Sequence, residues 1–162
     1  MAFIRSYEAA DLAAVAALMA DLGYPTSISE MQRRMDVIAS NPFCHTFVAE
    51  VDGQVVGMAG IRVSTNYEID DVVTYISALV VKKELQGQGI GKQLIRYIED
   101  WSIRNGSDIL YLTSGMKDER KIAHEFYKRL GFEITGYRFV KRLREADGHA
   151  IEHHCTDSTH AG

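Results

Sequence analysis

Residues 79–101 read LVVKKELQGQGIGKQLIRYIEDW. An apolar run from Leu79 through Val80 to Val81 leads into three closely spaced glycines, Gly87, Gly89 and Gly91, and a helix-like stretch follows. Glycine loses more freedom on folding than any other residue, so such a cluster implies either a plain turn or a backbone that must lie bare against something. A strand-to-helix junction favours the second reading. The first N–H groups of a helix have no partner within it, and the helix dipole adds partial positive charge there. Without side chains an anion can approach those N–H groups closely, and Lys92 adds a full positive charge at the same place. The stretch Gln86-Gly87-Gln88-Gly89-Ile90-Gly91-Lys92 thus reads as a phosphate cradle best suited to a diphosphate.

Spacing excludes the two familiar nucleotide motifs. A dinucleotide fingerprint needs G-x-G-x-x-G, whereas Gly87, Gly89 and Gly91 form G-x-G-x-G. A P-loop needs Ser or Thr after Gly-Lys, and Gln93 stands there.

Upstream, MAFIRSY is a short strand. DLAAVAALMADLG places Leu12, Val15, Leu18, Met19 and Leu22 on one helical face, with Asp11 as N-cap and Gly23 as stop. Ser27 followed by Glu30 has capping-box spacing and opens a second helix. HTFVAEVDGQVVGMAGIRVS is a hairpin turned at Asp52-Gly53. VVTYISALVV is a strand whose continuous apolarity predicts burial on both faces. Downstream of the glycines, Leu94, Ile95, Ile98 and Trp101 make a helical stripe, and DILYLTS is a further buried strand. RKIAHEFYKRLG carries a stripe at Ile122, Ala123, Phe126, Tyr127 and Leu130 and stops at Gly131. FEITGYRFVKRL supplies two final strands. The expected order is β-α-α-β-β-β-α-β-α-β-β, an α/β (α+β) fold with helices on both sides of the sheet.

Size and composition bound the rest. A chain of 162 residues suits one domain, expected over 1–145, with a polar, His-rich tail over 146–162. Its hydrophobic fraction of 46% and charged fraction of 25% are ordinary for a globular protein. The expectations are no membrane span, no signal peptide and, with only Cys44 and Cys155, a reducing cytoplasm. A formal net charge of -4 argues against nucleic acid as a partner. Histidines 149, 153 and 154 beside Cys155 would bind metal weakly at most on an exposed tail, so no metal site is expected.

The segment ISALVVKKELQGQGIGKQLIRYIE resembles the signature of the GNAT superfamily of N-acetyltransferases, whose Q/R-x-x-G-x-G/A is met by Gln86, Gly89 and Gly91. FIRSYEAADL is similar to the family's opening, AEVDGQVVGMAGI to its central hairpin, and AHEFYKRLGFE to its late helix. The resemblance implies a mixed, mostly antiparallel central sheet. It implies that acetyl-CoA is the co-substrate, with its pyrophosphate on the backbone from Gln86 to Lys92. The pantetheine arm would lie along Leu79, Val80 and Val81, and a backbone N–H of that strand would face the oxyanion.

Acetyl transfer from a thioester to an amine needs a deprotonated amine, a donor to the oxyanion and a proton for the departing thiolate. The family match assigns the last role to Tyr127, although periodicity alone makes it a packing residue; His124 is the second choice. Relatives often carry a carboxylate near the positions of Ser77 and Ala78, where this chain has none. Glu68, next to Asp70 and Asp71, is the candidate base, through a water held by Ser77 or Tyr75, against the plainer reading of a solvated acidic loop. R-x-x-A-H-x-F-Y, from Arg120 to Tyr127, resembles branches acetylating small amines such as aminoalkylphosphonates. Arg120 stands where asparagine is more usual, and could meet the coenzyme or an anionic group of the substrate. The expected partner is therefore a small-molecule amine. The acceptor itself and a homodimer, common in such families, are left open. A non-catalytic acyl-CoA-binding module is the alternative, favoured only by the missing strand carboxylate.

Overall fold

A computed structural model describes residues 1–144 and 160–161. The chain divides into two compact units, Met1–Leu110 and Tyr111–Gly162. The first contains β1 (Phe3–Ser6), α1 (Leu12–Leu22), α2 (Ile28–Ala39), β2 (Cys44–Val51), β3 (Gln54–Thr65), β4 (Val72–Val81) and α3 (Ile90–Arg104). β5 (Ser107–Leu112) runs from it into the second unit, which holds β6 (Ser114–Gly115), α4 (Lys121–Arg129) and β7 (His160–Ala161).

Local chemistry sets most boundaries. Gly23 ends α1 with φ of 102°, a left-handed geometry that a side chain disfavours. Ser27 Oγ accepts from the Glu30 N–H at 3.1 Å, and Glu30 Oε1 accepts from the Ser27 N–H at 3.2 Å. Together they complete the predicted capping box. Asp52 and Gly53 both take positive φ, 50° and 77°, as a tight hairpin requires. Val51 pairs with Gln54 across the turn.

β1 to β5 form one sheet in sequence order, and the pairs β1–β2, β2–β3 and β3–β4 are all antiparallel. The two faces alternate along each strand. Val48, Met58 and Val80 turn one way and pack with Val15, Leu18 and Met19 of α1 and Met31 and Met35 of α2. Phe47 turns the other way, its ring edge-on to Tyr97 and Trp101 of α3 at centroid distances of 5.0 and 5.8 Å. Leu94, Ile95 and Ile98 of α3 are fully buried. Helices thus cover both faces, as expected. α3 packs close over Gly57, where a Cβ would lie 3.3 Å from Leu94 Cδ1.

Several expectations differ. β5 is not buried on both faces, since Ile109 and Tyr111 are 39% and 42% exposed. It stands last in the sheet order, and an edge strand gains less cover than a central one. The segment 132–144 carries the right alternation but forms only an isolated bridge at Tyr137. Ile134, Tyr137, Phe139 and Leu143 there are exposed, so little burial offsets the entropy of ordering two strands. On α4, Ile122 of the predicted stripe is also exposed. The tail expectations for residues 146–159 lie outside the described residues.

Asp11 begins α1 without capping it. Its carboxylate accepts from the Glu8 N–H at 2.8 Å and from both Arg5 Nη atoms at 2.8 and 2.9 Å, while Arg5 Nε donates to Glu50 Oε2 at 2.9 Å. The Arg5 guanidinium holds the buried Asp11 carboxyl below the usual carboxylate range, against the opposing effect of burial. A lowered native pKa stabilises the fold above the unfolded value, about 4, and that contribution fades as pH falls through the native one. Arg5→Leu, which strands a buried carboxylate, should cost about 3 kcal/mol at pH 7 by urea denaturation. The gap from the parent should narrow toward pH 3.

Candidate active site

β4 carries the first part of the site. Gly60 pairs with Ala78 and Ile61 with Ile76, so Ser77 is an extra residue, a β-bulge. Its Oγ donates to the Gly60 carbonyl at 3.1 Å. Beyond the bulge, Leu79, Val80 and Val81 pair with Ala59, Met58 and Gly57. Nearer the start of β4, the Thr74 hydroxyl donates to Ser107 Oγ of β5 at 2.9 Å.

The glycine segment follows. The Gln86 side-chain amide donates to the Val81 carbonyl at 3.2 Å, tying the loop back to the end of β4. Gly87 and Gly89 take φ of 83° and 86°, and Gly89 is the N-cap of α3. The first backbone bond of the helix runs from the Gln93 N–H to the Gly89 carbonyl at 3.0 Å. From Gly87 to Lys92, with Gln88 and Ile90 between, no hydrogen bond engages a backbone N–H among the described residues. Gly91 is different from its neighbours. It lies within α3 at an ordinary φ. Glycine there gives up as much as ~1 kcal/mol relative to alanine with no conformational need. What its lack of a Cβ does leave is access to the amide row, with Lys92 exposed beside it.

The second unit holds Tyr127. Its half-buried ring meets Phe126 and Phe132 edge-on at 5.3 and 5.8 Å. The phenol makes no hydrogen bond among the described residues. Burial pushes it above its ordinary value, and the Arg120 guanidinium pulls weakly the other way, the two effects expected of desolvation and a nearby cation. His124 is committed elsewhere, with Nε2 2.7 Å from the Gly115 carbonyl. A carbonyl can only accept, so Nε2 carries the proton.

Glu68 sits in the exposed loop between β3 and β4 with Asp70 and Asp71. Val72 begins β4. Ser77 lies five residues on, roughly 17 Å along an extended strand. A single water at Ser77 does not bridge that length. A separate cleft of about 420 Å³ opens between α1 and the β2–β3 turn, lined by Ala14, Ala17, Gln54 and Lys82 among others. It shares no residue with the glycine segment.

Residues 12–132 match the Acetyltransferase (GNAT) family. This chain belongs to that family. Aminoalkylphosphonate N-acetyltransferase of Salmonella typhimurium is 32% identical over 117 residues, covering 70% of this chain and 75% of that protein. Thialysine N-epsilon-acetyltransferase of Sus scrofa is 31% identical over 128 residues, covering 75% and 69%. The fold agrees with a GNAT family acetyltransferase from Staphylococcus aureus at a TM-score of 0.76 and 23% identity, over 88% of this chain and 98% of that one. The GNAT protein described here is an acetyl-CoA-dependent N-acetyltransferase by class, and the family uses acetyl-CoA as co-substrate. The matched relatives are named as enzymes, which sets aside the non-catalytic reading. No helix among the described residues is long and apolar enough to cross a membrane.

The raised phenol of Tyr127 has a consequence for pH. The native state binds that proton more tightly than the unfolded chain, so its contribution is full below pH ~10 and is lost as pH rises through the native value. Difference absorbance between the parent and Tyr127→Phe should show a phenol ionising above the ordinary tyrosine range. A midpoint at or below ~10 would contradict the burial.

Proposed function

We propose that this chain moves the acetyl group of acetyl-CoA to the primary amine of a small molecule by direct attack, within an acetyltransferase domain over 1–145. The observation that carries the reading is the row of uncommitted N–H groups from Gly87 to Lys92 at the head of α3. A diphosphate accepts from such a row and gains from the helix dipole and Lys92. Gln86 holds the loop, and Leu79, Val80 and Val81 receive the pantetheine arm.

The amine nitrogen, once deprotonated, bonds to the thioester carbon. The resulting oxyanion takes a hydrogen bond from a backbone N–H of the Leu79–Val81 strand. Collapse breaks the C–S bond, and Tyr127 gives its proton to the leaving thiolate. The phenol is protonated at neutral pH with or without burial, and its hydroxyl has no competing partner among the described residues. Glu68 is the base we assign, receiving the amine's proton through a chain of waters rather than one. The names of the two relatives, an aminoalkylphosphonate and a thialysine acetyltransferase, support a small primary amine as acceptor. The net charge of -4 supports a partner other than nucleic acid. Cysteine usage supports a reducing compartment such as the cytoplasm.

Two variants test this reading. Gly91→Leu keeps a helical backbone and should not lower Tm, yet should weaken acetyl-CoA binding about tenfold or more by calorimetry. Unchanged affinity would remove the cradle from the mechanism. Tyr127→Phe should retain coenzyme affinity and lower kcat by roughly 10²-fold. Near-full kcat with chemistry rate-limiting would return Tyr127 to a packing role.

A further inference from the structure

Resting on the assignment of Leu79–Val81 to the acetyl donor, we propose that Arg62 binds an anionic head group of the acceptor. The chain would then select amines that carry an oxyanion a short chain away from the nitrogen. Side chains alternate along a strand, so Met58, Gly60 and Arg62 share one face of β3, and Met58 places that face against α1 and α2. Their partners on β4 are Val80, Ala78 and Tyr75. Ser77, the bulge residue, turns to the same side, since its Oγ lies 3.3 Å from where a Gly60 Cβ would stand.

This makes a run of small side chains, Gly60, Ser77 and Ala78, directly before the strand that takes the donor. At its outer end Tyr75 supports Arg62, whose Cζ lies 5.2 Å from the ring centroid. A guanidinium stacked on a ring stays held in position while its N–H donors remain unspent. No carboxylate pairs with Arg62 among the described residues, and its side chain is exposed. Its fork therefore suits two oxygens of a phosphonate, phosphate or carboxylate.

Strand geometry limits the ligand's length. Gly60 and Arg62 are two residues apart, about 7 Å along the strand, so a linker of roughly two or three carbons separates amine from anion. The acidic loop with Glu68, Asp70 and Asp71 begins past Thr65, the last residue of β3. That is about 10 Å beyond Arg62 and near the Debye length at physiological salt. The loop therefore does little to repel an anion at Arg62.

The test compares the parent with Arg62→Gln on three acceptors of matched length: 2-aminoethylphosphonate, β-alanine and propylamine. For both anionic amines kcat/KM should fall about tenfold or more, through KM, while propylamine changes less than about twofold. Which anion loses more identifies the head group. Arg62→Lys, a point charge without the fork, should recover only part of the loss. Ethylphosphonate, which has no amine, reads the anion site by calorimetry without any transfer, and its binding should vanish in Arg62→Gln at unchanged Tm. A parent that prefers propylamine, or a variant that keeps the anionic preference or still binds ethylphosphonate, overturns the proposal. If the parent binds ethylphosphonate through Arg62 but acetylates no amine, the function proposed above fails while the role of Arg62 stands.

Discussion

The burial of α3 against the sheet fixes where its N-terminal row of open amides lies. Leu94, Ile95 and Ile98 are sealed completely, and Gly57 lets the helix approach so closely that a single added carbon would touch Leu94. A helix pinned along one face points its N-terminus in one direction only. Because Gln86 also holds the preceding loop to the end of β4, the open amides and the edge of Val81 are presented together. The row of open amides is a backbone feature, but its place in space comes from the apolar packing of the helix on the sheet.

The opposite face uses a different device. α1 and α2 contribute methionines and small aliphatic side chains, whose packing is adaptable. The entry into α1 is fixed instead by charge: Arg5 from β1 holds Asp11 at the start of the helix and Glu50 on β2 at once. Buried ion pairs of this kind add little net stability over apolar packing, yet they penalise any arrangement that separates the partners. They therefore set where α1 crosses the sheet more than how strongly it binds.

Between these two layers, the bulge at Ser77 changes what β4 can do. An inserted residue bends the strand and interrupts the ladder where Gly60 faces it. Buried residues lie on both sides of the bulge, Val73, Thr74 and Ile76 before and Val80 after, while Ser77 itself and Arg62 opposite Tyr75 are exposed. The proposed donor and acceptor positions fall on opposite sides of that interruption.

How much was legible in the sequence follows the range of the interaction involved. Gly23, the Ser27–Glu30 box and the Asp52-Gly53 turn act within a few residues of chain. Each is read correctly from the sequence because the competing states are decided locally. The α/β arrangement was legible in the hydrophobic pattern, and the GNAT family through the resemblance of the glycine segment and three further segments to that family. Long-range pairing was not legible. The alternation in 132–144 promised two strands, but a strand needs a partner and burial, and neither is encoded in period-two patterning. The apolar run in β5 suggested burial, while its place at the sheet edge left it half exposed. Nothing local marks Ser77 as a bulge, since bulges arise from the mismatch of two paired strands. Arg62 and Tyr75 are far apart in the chain and meet only because antiparallel register brings them face to face. The sequence alone thus determined the family, the Gly23 stop, the Ser27–Glu30 cap and the Asp52-Gly53 turn. Tertiary structure alone decided the bulge, the exposed edge and the stacking of Arg62 over Tyr75, because those depend on which strand lies beside which.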